Sequence, residues 1–156
     1  MATFKFTGID EYMNDLQTLG NKAEGLCKRA LYDGAAVVAD AVRAEVSSMP
    51  STDVNTEPQQ ILDYEKQGLL DGLGVSKMRN ENGVIYTRVD FDGYNRLKSK
   101  QFPNGHPNSM VARAINSGTS RRPKNPFMNR AVKKAKAAAQ KAMASRLDAD
   151  IEKIMK

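Results

Sequence analysis

The sequence predicts an α+β fold in which a long N-terminal helix and a long C-terminal helix pack on a small antiparallel β-sheet containing a hairpin. Three observations carry this expectation. Apolar residues recur at helical spacing over residues 22–48 and again over 127–155, and between them an alternating segment follows an Asn-Gly pair. A chain of 156 residues is long enough to bury a core without disulfides or a metal, so residues 1–156 are read as one domain.

The elements follow in order. Thr3–Thr7 reads as a short extended start, after which Tyr12, Met13, Leu16 and Leu19 fall at helical spacing and Gly20-Asn21 breaks the pattern. From Lys22 to Ser48, Leu26, Ala30, Val37 and Ala41 form one row and Leu31, Val38, Val42 and Val46 the next, together a broad apolar stripe. Pro50 ends this helix. Residues 50–68 are polar and turn-rich and read as a long loop, with room for one helical turn at Gln59–Lys66.

Gly68-Leu69-Leu70 is read as opening a two-stranded unit: a strand over Leu73–Arg79, a turn over Asn80–Gly83, and a return strand over Val84–Asp92. In the return strand Ile85, Thr87, Val89 and Phe91 share one face and Tyr86, Arg88 and Asp90 the other. Residues 93–109 form a second long loop, and Asn108 or Ser109 is expected to cap a short helix through Ile115. After an irregular passage, the helix from Phe127 to about Met155 carries Met128, Ala131, Val132, Ala135, Ala139, Ala142, Met143, Leu147, Ile151 and Ile154 in register. Pro126 is placed at its first turn.

Charge is distributed unevenly. Residues 1–92 hold 9 basic and 15 acidic side chains, residues 93–147 hold 13 basic and no acidic ones, and the last nine balance at −1, within a net charge of +6. An acidic half of one copy can therefore meet the basic half of another, and a basic surface can line a channel carrying DNA. Arg121, Arg122, Lys124, Arg130, Lys133 and Lys134 are the candidate subunit- or DNA-facing residues. Helix-turn-helix and zinc-finger spacings are lacking, so any DNA contact is expected to be to a charged polymer, without base specificity.

The sequence offers little chemistry. Its one histidine, His106, sits in a loop, and its one cysteine, Cys27, lies in a helical pattern where a small buried group is expected. Asp90 and Asp92 share a strand face, an arrangement more common at a solvated strand end than in a catalytic or cation-binding pair. Phosphate-loop, dinucleotide-binding, hydrolase and calcium-loop motifs are not found. The chain is read as a non-enzyme with no catalytic, cofactor-binding or metal site, made in a reducing cytoplasm. Neither a signal peptide nor a membrane span is expected from its N-terminus or its apolar runs.

The run VARAINSGTSRRPKNPFMNRAVKKA resembles the bacteriophage tail-component family that includes the tail-completion proteins of lambda-like siphophages. The matching elements are Val111-Ala112, Gly118-Thr119, Pro126-Phe127 and Ala131. The long Ala/Val helix ending near Pro50 and the Gly68-Leu69 pair follow in the family's order, while Asn116-Ser117 stands where the family often has an acidic or aromatic residue. The resemblance implies a structural virion protein of the neck, acting in tail completion or head–tail joining. It implies a homo-oligomeric ring, sixfold, between head connector and tail tube. The implied partners are the head-closure or connector protein, the tail terminator and the tail tube, with genomic DNA in the lumen.

In the residues' own terms, Gly118, Thr119, Pro126 and Phe127 make a rigid loop–helix junction that orients the basic segment 121–136. Alternatives are a tail terminator or other neck protein and, from other classes, a small basic non-specific DNA-binding protein or an enzyme of unrecognised type.

Overall fold

The computed structural model describes residues 2–5 and 22–155. Its elements are β1 (Ala2–Lys5), α1 (Lys22–Ser48), α2 (Asp63–Gly72), β2 (Leu73–Val75), β3 (Arg79–Glu81), β4 (Val84–Phe91), α3 (Asn108–Ser117) and α4 (Phe127–Met155). This is the expected α+β arrangement of two long helices and a small antiparallel sheet. The helical segment expected through Tyr12, Met13, Leu16 and Leu19 lies outside the described residues.

The apolar stripes explain the pairing of α1 with α4. Ala35, Val38, Val42 and Val46 pack with Phe127, Ala131, Ala135 and Ala139 in the main core. Ala23, Leu26, Ala30 and Leu31 pack with Met143 and Leu147 in a second cluster. The start of α1 thus meets the end of α4, and the two helices run antiparallel. Alanines on the α4 face bring the helices close, and Gly34 does the same on α1, where a Cβ would lie 2.6 Å from Met143 Cγ. Cys27 is buried in α1, as its pattern predicts. Ion pairs Arg29–Asp150 (3.0 Å) and Arg146–Asp33 (3.5 Å) flank the second cluster.

Strand β4 is the hub of the sheet. It pairs antiparallel with β1 on one side and with both β2 and β3 on the other. Thr87, Val89 and Phe91 are buried on the core face, as the alternation requires. The expected continuous strand Leu73–Arg79 is instead split. Val75 faces Val89 but Arg79 faces Tyr86, so four steps on one strand span three on the other, a bulge at residues 76–78. Thr87 holds it by donating from Oγ1 to the Ser76 carbonyl at 2.7 Å. The turn is tighter than expected: only Asn82 (φ 53°) and Gly83 (φ 81°) lie between the paired Glu81 and Val84, the two-residue hairpin that Asn-Gly favours.

Two expected loops carry more structure than their composition suggests. Residues 50–62 are pinned by a parallel bridge between Thr52 and Leu62. Asp63–Gly72 then forms α2, so Gly68, Leu69 and Leu70 are helical and do not open the strand. Fully buried Leu69 anchors that helix in the main core. Residues 93–107 close at a Tyr94–Pro107 bridge. Inside this loop, buried Asn95 accepts on Oδ1 from the Leu97 and His106 amides, both at 3.1 Å. Asn108 is not a cap; it lies at the start of α3, behind Pro107, and its Nδ2 donates to the Asp92 carbonyl at 2.9 Å. The α3 helix also runs past the expected end at Ile115 to Ser117.

Candidate functional site

The junction between α3 and α4 is assembled from short-range hydrogen bonds. Gly118 (φ 76°) ends α3, and its N–H donates to the Ala114 carbonyl at 2.9 Å. A Cβ at this position would lie 2.9 Å from the Lys124 nitrogen, a contact real Cβ atoms essentially never make. Thr119 N–H donates to the Arg122 carbonyl at 2.9 Å, and Thr119 Oγ1 accepts from the Arg121 and Arg122 amides at 3.3 and 3.1 Å. These bonds close a tight turn.

Pro126 directly precedes α4, one residue before its expected place in the first turn, and its carbonyl accepts from Arg130 N–H at 3.1 Å. Asn116 Oδ1 accepts from Met128 N–H at 3.1 Å, satisfying an otherwise orphaned helix-start donor. Phe127 is fully buried, with its ring centroid 6.1 Å from that of Phe91. The junction is thereby locked onto β4, as its aromatic residue predicts.

The six basic candidates separate into two groups. Arg122 is not on a surface. It is 6% exposed, and its Nη2 donates to Glu65 Oε1 and Oε2 at 3.0 and 2.9 Å, an ion pair inside the chain. Glu65 Oε2 also accepts from Leu62 N–H at 3.0 Å, so one carboxylate anchors the start of α2 and the junction turn together. Gln59 N–H reinforces this by donating to the Arg121 carbonyl at 2.9 Å.

Arg130 and Lys134 are also engaged. Arg130 Nε and Lys134 Nζ reach the buried Glu45 at 3.1 and 2.6 Å, and Arg130 Nη2 reaches Asn125 Oδ1 at 2.6 Å. The Lys134 hydrogen bond, joined by Arg130, holds the Glu45 carboxyl below its ordinary value against the opposing effect of burial. Arg121, Lys124 and Lys133 are exposed and take part in no ion pair among the described residues. With exposed Lys136 they form the available cationic surface of residues 121–136, and exposed Arg96, Lys98 and Lys100 add another on the 93–107 loop.

Sequence reasoning missed Glu65 and Glu45, the acidic partners that decide which cations remain available. Only the three-residue spacing from Leu62 to Glu65 hints at a capping role, and nothing local links Glu65 to a residue 57 positions away. Asp90 and Asp92 each accept from the following backbone amide, Phe91 and Gly93, both at 2.8 Å, which occupies them locally. Among the described residues, no group of three potential metal ligands comes together and no helix is long and apolar enough to cross a membrane.

A cavity of about 260 Å³ opens beside the Glu65–Arg122 pair, where residues 55–65, 95–106 and the junction turn converge on α3. Comparison of the chain with models of known families, with curated proteins and with solved structures finds no match.

Proposed function

We propose that the chain is a structural protein of a tailed-phage virion, a tail-completion or head–tail joining subunit. Copies would form a ring, sixfold by the family resemblance, in the neck between the head connector and the tail tube. The observation that carries this reading is the run from Val111 to Ala135, which resembles the tail-completion family. In this chain that run is a locked helix–turn–helix-start junction presenting Arg121, Lys124 and Lys133 to solvent.

The mechanism is assembly. Identical copies that offer unlike surfaces to each other close into a ring when the rotation permits. Cations not used inside the chain are free to meet acidic residues of a neighbour or phosphates in a lumen. Residues 50–62 and 93–107 would contact the adjoining connector, terminator or tube proteins.

Charge reversal tests the reading, provided Arg122 is left alone, since its loss would disrupt the fold. Arg121→Glu, Lys124→Glu and Lys133→Glu together should leave the monomer folded and block production of infectious particles. Normal titres from the triple variant would remove the assembly role from this surface. A tail terminator or another neck position remains the alternative of the same class.

The surplus of 13 basic over no acidic side chains in residues 93–147 favours one further reading, a free-standing DNA-binding protein. Tight binding of the isolated monomer to duplex DNA at physiological salt, weakening steeply as salt rises, would support that reading against the neck subunit.

A further inference from the structure

The side of α4 turned away from α1 carries a ridge formed by Lys133, Ala137, Lys141, Ala144, Asp148 and Glu152, and all six residues are exposed. Ala131, Ala135, Ala139, Met143 and Leu147 occupy the opposite, core-facing side of the helix. Successive ridge members are four, four, three, four and four residues apart, the spacing of neighbours along one helix face. Its four charged members take part in no ion pair among the described residues. Other cations of α4 are engaged within the chain: Arg130 and Lys134 by Glu45, and Arg146 by Asp33 and Asp150.

Charge is segregated along the ridge. Lys133 and Lys141 lie in its first half, Asp148 and Glu152 in its second, and Lys153 falls outside the row. The spacing is also the same from either end. A two-fold axis between Lys141 and Ala144 therefore lays the ridge of one copy antiparallel on that of another. Lys133 then stands opposite the second copy's Glu152, Ala137 opposite its Asp148, and Lys141 opposite its Ala144. One turn from that alanine, the second copy's Asp148 is within reach of Lys141. Cation thus meets anion near the axis and again further out, on both sides of it. Ala137 and Ala144 place no long side chain between the two backbones, so the helices can approach closely. A parallel arrangement would oppose like charges instead.

We propose that two copies of this chain pair through the outer ridge of α4 about a two-fold axis. Such a contact is self-complementary and closes at two copies. From Lys133 to Glu152 the ridge is about 30 Å long. It is one helix wide, which falls short of the roughly 800 Å² per partner of a standard interface. The pair is accordingly weak, and it loosens as salt screens the exposed charges. Lys133 lies inside the contact, so pairing and its use towards a neighbour in the neck exclude one another. That consequence alone rests on the neck reading.

Sedimentation equilibrium of the full-length chain tests the pairing, at concentrations up to about 1 mM, the weak end of specific association. In about 0.02 M salt the mass should rise reversibly from monomer to dimer, and about 0.3 M salt should weaken the dimer about tenfold. Lys133→Glu with Lys141→Glu leaves a ridge with only acidic charges, and Asp148→Lys with Glu152→Lys leaves one with only basic charges. Each double variant alone should associate about tenfold more weakly than the wild type, or less. Mixed together, they should recover a one-to-one dimer, because every contact is again between unlike charges.

A wild type that stays monomeric over this range in low salt would overturn the pairing. So would association that either double variant leaves unchanged, or a mixture that fails to recover the dimer. Masses beyond the dimer would reveal a contact that does not close at two copies and would overturn the two-fold arrangement. Because the readout needs no virion, its failure leaves the neck assignment standing, and a failed neck assignment leaves the dimer measurable.

Discussion

The helix pair α1–α4 and the irregular half of the molecule, residues 50–62, 93–107 and 118–126, are held by different forces. The helices rely on small and branched apolar side chains at repeating positions, from Leu26 and Leu31 to Val46 on α1 and from Ala131 to Leu147 on α4. The irregular half relies on a few buried polar groups. Asn95 organises one loop, Asn108 ties the start of α3 to the sheet end, and Glu65 with Arg122 joins α2 to the junction turn. Apolar contacts are many and individually replaceable, so the helix pair should lose stability in increments. A buried ion pair has one geometry, and removing either member strands the other. The half to which the proposed neck role assigns the partner contacts is therefore also the half with the fewest substitutes for its central contacts.

Four experiments order this contrast by size. Arg122→Met should cost about 3–5 kcal/mol, because Glu65 stays buried without its partner. Adding Glu65→Leu should recover most of that loss in urea unfolding, and a double variant as unstable as the single one would remove the pair from its central position. On the apolar side, Leu26→Ala should cost about 3 kcal/mol as a cavity opens. Hydrogen exchange should place the loss at the start of α1 and the end of α4, leaving the amides of residues 118–126 protected.

The third experiment concerns the backbone. Gly118→Ala forces a side chain into a positive-φ conformation against the Lys124 backbone, and should cost about 2 kcal/mol. Smallest is Lys134→Gln, since Lys134 is 70% exposed at its contact with Glu45, and an ion pair at such a surface contributes about 0–1 kcal/mol.

Two buried carboxylates paired with more exposed cations, Glu45 and Asp150, set the acid limb of stability. Glu45 is held below its ordinary value by Lys134 and Arg130. At Asp150, burial alone would raise the carboxyl, but hydrogen bonds and charge from Arg29 and Arg146 outweigh it and leave the value lowered. A carboxyl lowered in the folded state stabilises fully above its unfolded value and loses that contribution as pH falls through the folded one. Unfolding midpoints should therefore be flat near neutral pH and decline below about pH 4.5. Lys134→Gln should shrink the part of that decline owed to Glu45.

What the sequence made legible follows the same division. The bounds of α1 and α4, the inward face of β4 and a hairpin at the Asn-Gly pair are all periodic or local signals, and the structure bears them out, although the turn takes two residues where Asn80–Gly83 is expected. Helix α2 was hidden because its ten residues include Gly68 and Gly72 and lack a strong stripe. Leu69 holds it through tertiary burial, which local propensity does not register. The bulge at residues 76–78 depends on Thr87 across the sheet, and no local pattern marks it.

In the candidate site, the junction residues Gly118, Thr119 and Phe127 could be read from turn and helix-start chemistry. Separating exposed Arg121 from buried Arg122 could not. Two adjacent arginines look alike in sequence, and the carboxylate that distinguishes them is 57 positions away.

Electron cryomicroscopy of the neck of purified phage particles tests the functional account most directly. The account predicts a closed ring of density into which α1 and α4 fit as antiparallel rods, with residues 50–62 and 93–107 at the contacts with adjoining proteins. A complete neck reconstruction with no density for this chain, in particles from which the polypeptide is also missing, would contradict it.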